Sequence, residues 1–136
     1  MNFNFLPYKL YDDSFLLVKR LILEGEDNGV FHYTVASLPV NAILEIPISS
    51  IALYFYRKRL ITAYYKLNRT YQDWEAIVTR FEAYLGKDAL CWEEDEGNLY
   101  NWQKRNQFLG ILADQKNNSI MIYHTFKRYN VFEDSS

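Results

Sequence analysis

The stretch IALYFYRKRLITAYYKLNRTYQDWEAIVTRFEAYLG, residues 51–86, changes its periodicity once, and that change decides the fold. Residues 51–56 and 60–67 are rich in aromatic and β-branched types, with Arg57, Lys58 and Arg59 between them. Such side chains suit a pleated, half-buried surface, so the pair reads as a hairpin with a charged turn. From Trp74 onwards the apolar spacing is different. Trp74, Ile77, Val78, Phe81 and Leu85 fall on one stripe of a helix, while Glu75, Arg80 and Glu82 point the other way. Thr70 and Asp73 make a variant capping box, with a shorter reach than the usual glutamate gives. Gly86 follows the last apolar position and can adopt the left-handed conformation that ends a helix. The spacing predicts a helix over residues 71–85.

Strand signals lie on both sides. "AILEI", residues 42–46, reads as a further strand, with Pro47 ending it or marking an edge. Asn28-Gly29 is a strong hairpin signal and predicts a strand over 30–36 paired with one ending near Glu26. The partner, residues 14–26, fits a strand or a helix capped by Ser14; the turn favours a strand at its C-terminal end. After the helix, "NQFLGILAD" and "SIMIYHTF" read as two strands joined by the polar "QKNN". The fold class is therefore α+β: an antiparallel β-sheet with one long amphipathic helix (about 71–85) packed on one face. The other face must be solvated or bound, and twelve tyrosines make an exposed aromatic face an expectation.

The bulk numbers fit one domain spanning residues 1–136, with a frayed tail at about 131–136. A net charge of −2, with both signs dispersed, gives no basic surface for nucleic acid. No apolar run approaches the roughly 20 residues of a membrane span. The N-terminal "MNFNFLPYKLYDD" lacks the features of a signal peptide, so a cytoplasmic protein is expected. One cysteine permits no intrachain disulfide and no multi-thiolate zinc site, and two histidines permit no three-histidine site. There is no phosphate-binding glycine loop, dinucleotide fingerprint, nucleophile elbow or His-Glu-x-x-His motif, so neither cofactor nor catalytic residue is expected.

Single residues admit structural readings first. Cys91, within "ALCW", reads as a small buried hydrophobe rather than a nucleophile paired with His32 or His124. Alternation places His124 on the same strand face as Ile120 and Ile122, a hydrogen-bonded histidine at the core's edge. The most distinctive feature is "ALCWEEDEGNLYNW", residues 89–102, which sets Glu93, Glu94, Asp95 and Glu96 between Trp92 and the pair Tyr100 and Trp102. It reads as a solvated loop, a metal site or a partner surface. The metal reading is weakened because the run lacks the alternating ligand spacing of a calcium loop. As a partner surface, the carboxylates would attract a basic protein and the aromatics would anchor it. Glu24, Glu26 and Asp27 form a second acidic patch at a hairpin tip. Arg57-Lys58-Arg59 and Lys104-Arg105 are concentrated positive spots; they suit phosphate, or an ordinary exposed turn.

The order over residues 51–126 is a hairpin, an amphipathic helix ending "YLG", the Trp-containing "LYNWQKRN", and a final hairpin. It resembles small cytoplasmic bacterial immunity proteins of toxin–antitoxin-like competition systems, over a little more than half the chain. The resemblance implies a non-catalytic binding protein that plugs a toxin's active site. No residue role carries over, because the likeness is one of element order. The expectation is a protein-binding domain that occludes a basic toxin domain through Trp92, Glu93, Glu94, Asp95, Glu96, Tyr100 and Trp102. The alternatives are a small enzyme or ligand-binding domain with an aromatic-lined pocket, and a homodimer formed through the open sheet face.

Overall fold

The computed structural model describes residues 2–11, 21–87 and 97–129, and residues 90–94 as backbone. Among them, eight strands form an antiparallel sheet in the order β1-β2-β4-β5-β9-β8-β7-β6. The strands are β1 (Leu21–Asp27), β2 (Val30–Val35), β4 (Ile46–Tyr56), β5 (Arg59–Leu67), β6 (Leu90–Glu94), β7 (Gly97–Lys104), β8 (Gln107–Asp114) and β9 (Ser119–Phe126). A two-residue strand, β3 (Ala42–Ile43), pairs with the start of β4. Two meanders, β1 to β5 and β6 to β9, are thus joined by pairing β5 with β9, where Tyr64 lies opposite Tyr123.

The turns explain the registers. Asn28-Gly29 and Arg57-Lys58 each connect two strands with both residues at positive φ, the primed geometry that matches strand twist. The charged turn is therefore two residues long, and Arg59 opens β5. Leu44 and Glu45 do the same between β3 and β4. The strand expected over 42–46 is split by this turn. Pro47 does not end a strand there; it lies near the start of β4, opposite Ala42.

The helix comes where the spacing places it, but it is short. One 3-10 turn, Tyr71–Asp73, leads into α1 (Trp74–Leu85), 12 residues or about 18 Å long. The backbone N–H and hydroxyl of Thr70 both reach Asp73 Oδ2 at 3.3 Å, and Gly86 ends the helix at φ 99°. Ile77, Val78, Phe81 and Leu85 are buried against the sheet. So short a helix cannot cover a sheet this wide. Residues 3–8 complete the layer: Phe3, Leu6 and Tyr8 are buried in the same core, and Phe5 packs edge-on against Phe81 and Tyr84. No helix among the described residues is long and apolar enough to cross a membrane.

The second half of the sheet holds the largest departure from expectation. Residues 90–94 and 97–104 are strands β6 and β7, not a polar stretch. The alternation is concealed because Asn98 and Asn101, poor strand formers, occupy buried positions.

Candidate functional site

The acidic and aromatic residues expected to form one surface fall on the paired strands β6 and β7 and on the connection between them. Trp92, Glu93 and Glu94 lie on β6, with their Cα atoms opposite Leu99, Asn98 and Gly97; Asp95 and Glu96 fall outside the described residues. Trp102 is 1 % exposed and packs beneath α1, with its ring 6.2 Å from that of Phe81. Its indole N–H donates to the carbonyl of Gly86 at 2.9 Å. Tyr100 is half-buried and donates its hydroxyl to Glu82 Oε2 at 2.7 Å. Both aromatic side chains of β7 are thus engaged with the helix, and Trp102 has no surface to offer a partner.

The two acidic patches do not adjoin. β1 and β6 are the opposite edges of the sheet. At about 4.8 Å per strand, roughly 30 Å of sheet lies between them. The antiparallel order also puts the β1–β2 and β6–β7 connections at opposite ends of the strands.

The helix-free face carries a different constellation. Strand alternation sends His32, Tyr54, Tyr64, Tyr123 and Phe108 to this side from β2, β4, β5, β9 and β8 in turn. His32 lies flat on Tyr54, with centroids 4.4 Å apart and planes 6° from parallel. Tyr54 meets Tyr64 at 5.6 Å, Tyr64 meets Tyr123 at 4.7 Å, and Tyr123 meets Phe108 at 5.9 Å. The row is continuous across five strands. Gly110, opposite Tyr123, permits the last contact: a Cβ there would stand 2.9 Å from Phe108 Cε1.

Phe108, Tyr123 and Leu99 close the row at one side as a small buried cluster. The other side opens into a groove of about 550 Å³, floored by Tyr54, Thr62, Tyr64 and Tyr123 and bounded by Tyr129. Glu26 and Asp27, from the acidic tip of β1, form its rim, and among the described residues no lysine or arginine lines it. Glu26 Oε1 accepts the Gly29 N–H at 2.8 Å, which holds the rim in place. Burial and the neighbouring tyrosines push the Tyr64 phenol well above its ordinary range, so the groove floor remains uncharged. Beneath it, the Thr125 hydroxyl donates to the carbonyl of Ile61 at 3.1 Å, and its oxygen lies 2.7 Å from that of Thr62. Ile22, half-exposed on the edge strand β1, extends the apolar surface.

The tyrosine count pointed to an exposed aromatic face; the aromatic face observed is half-buried, with Phe108 and Tyr123 buried outright. Its particular members were not legible, because they meet only through strand register. His32, through its stack on Tyr54, is part of the groove.

His124 takes the place that alternation gives it, on the helix side with Ile120 and Ile122. Its Nε2 bonds Gln107 Oε1 at 2.9 Å, and its ring stands edge-on to Phe3 at 5.3 Å. Burial pushes its pKa down to about 3, so the ring is neutral near pH 7. It borders a cavity of about 330 Å³ between residues 2–10 and the β7–β8 turn. The side chain of Cys91 lies outside what is described. Among the described residues, no group of three or more histidine, cysteine, aspartate or glutamate side chains is placed to hold a metal ion. Comparison with protein families, curated proteins and solved structures finds nothing that matches this chain.

Proposed function

We propose that this chain is a non-catalytic protein-binding domain whose helix-free groove receives a basic segment of a partner protein. The observation that carries the reading is the joining of an open aromatic floor to a carboxylate rim, Tyr54 and Tyr64 beside Glu26 and Asp27. Aromatic faces attract cations through the ring quadrupole, most strongly where water is excluded. The rim carboxylates add charge that speeds encounter, and the tyrosines supply contact area that slows release. An arginine or lysine side chain satisfies both. An immunity protein that occludes a basic toxin is the setting in which we place it, now with the groove, rather than the 92–102 stretch, as the contact surface.

The test is titration of the chain with an arginine-rich peptide at low and moderate salt, followed by amide and ring chemical shifts. Saturable shifts are expected at His32, Tyr54 and Tyr64, with affinity that falls as salt rises. The double reversal Glu26→Lys with Asp27→Lys should weaken binding by about tenfold or more. Reversal of Glu93 and Glu94, on the far edge, should leave the groove shifts unchanged. Unaltered affinity in the Glu26/Asp27 variant would overturn the assignment.

A further inference from the structure

The geometry points to the 330 Å³ cavity behind the β7–β8 turn as a binding site for a small organic anion. Its charged head would meet Lys9 and Arg105, and its flat body would lie against Phe3 and His124. The cavity is on the helix side of the sheet, so it is independent of the tyrosine groove on the other face.

Three observations converge. First, Lys104 and Arg105, an adjacent basic pair in a chain of net negative charge, are joined at this cavity by Lys9 from the N-terminal segment. Among the described residues, no carboxylate lines the cavity, and neither Lys9 nor Arg105 has an ion-pair partner. Cations that line a concave site without a carboxylate in the same lining focus positive potential on whatever enters.

Second, Arg105 occupies the β7–β8 turn with φ at 53°. That conformation strains most L-residues and suits glycine or asparagine. Leu44, Glu45, Arg57 and Lys58 take the same conformation in other tight turns, so what distinguishes Arg105 is its place in the lining of the cavity.

Third, the floor is aromatic. Phe3 and His124 meet edge-on, and the imidazole has one nitrogen committed to Gln107. Because burial keeps that ring neutral, it acts as an apolar surface and not as a fourth cation. The volume falls at the lower end of the range for small-ligand sites. A cationic mouth over a flat apolar floor selects an aromatic carboxylate or phosphate over an inorganic ion.

The test is titration of the full chain with phenyl phosphate, benzoate and inorganic phosphate, followed by amide chemical shifts. Saturable shifts are expected at Phe3, Lys9, Arg105 and Gln107, with the aromatic anions binding more tightly than inorganic phosphate. A preference for phenyl phosphate assigns a phosphate head, and a preference for benzoate a carboxylate. Loss of a charged hydrogen-bond donor should weaken binding by about tenfold, so Arg105→Gly is expected to do so. It should keep or raise the thermal midpoint, because it relieves the turn. Lys9→Gln, on an exposed side chain, should weaken binding similarly. The inference is overturned if neither aromatic anion shifts these residues. It is also overturned if the Lys9→Gln, Arg105→Gly double variant binds as tightly as the natural chain.

Discussion

The indole N–H of Trp102 donates to the carbonyl of Gly86 at 2.9 Å, so the residue that ends α1 is fastened to strand β7 from inside the core. Helix ends leave carbonyls without partners in the helix itself, and each takes its donor from water or from elsewhere in the protein. Trp102 supplies it while its ring fills the space beneath Phe81.

Trp102→Phe should therefore be destabilising through two effects at once: a smaller ring in the core and the loss of the indole–carbonyl hydrogen bond. The expected loss is about 2–3 kcal/mol. Urea unfolding with an unchanged slope is the measurement. A shift below about 0.5 kcal/mol, the range of ordinary surface substitutions, would contradict this role.

The buried threonine pair has a direction. Thr125 donates its only hydroxyl proton to Ile61 O, so Thr62 must be the donor across the 2.7 Å contact. Thr62→Val removes that donor and leaves Thr125 still bonded to Ile61. Thr125→Val strips partners from both Thr62 and Ile61. The second variant should lose about 1–2 kcal/mol more than the first. Equal losses in thermal or urea unfolding would refute the assigned direction.

His124 predicts an acid dependence of stability. Its folded pKa of about 3 lies below the ordinary 6.5. Between those values the unfolded chain takes up a proton that the native chain refuses. Stability from this group is therefore complete above about pH 6.5 and is lost as pH falls towards 3. From neutrality to about pH 4 the natural chain should lose about 3 kcal/mol more than His124→Phe does. Urea unfolding of both at the two pH values checks this, and parallel losses would show that His124 is not the group responsible.

Much of the architecture was legible because it is written locally. Asn28-Gly29, the stripe from Trp74 to Leu85 and the terminal Gly86 each specify geometry within a few residues, and the structure has them where the spacing put them. β6 and β7 were hidden because Asn98 and Asn101 are buried at strand positions that normally carry apolar side chains. The side chains of Asn98 and Tyr71 meet at 3.0 Å, which repays a polar group in the interior. The cover from residues 3–8 was invisible for another reason: it has no period, and its apolar residues find the core only through tertiary contact. The groove depended on register. Nothing in the local sequence sets Tyr64 beside Tyr123, since β5 and β9 meet only after the helix and three strands have intervened.

That late meeting has a kinetic consequence. Each meander is built from neighbouring strands with tight turns, whereas the β5–β9 seam joins residues 62–67 to residues 120–125. Closing a long loop has an entropic cost, and contacts across it form slowly. Until the seam closes, β5 presents a bare edge of β-branched and aromatic residues at the centre of the future sheet. Such an edge is a template for another chain. Chains that lack β9, through truncation or incomplete synthesis, should therefore self-associate through β5 rather than remain dispersed, so β9, made last of the described strands, doubles as the guard against aggregation.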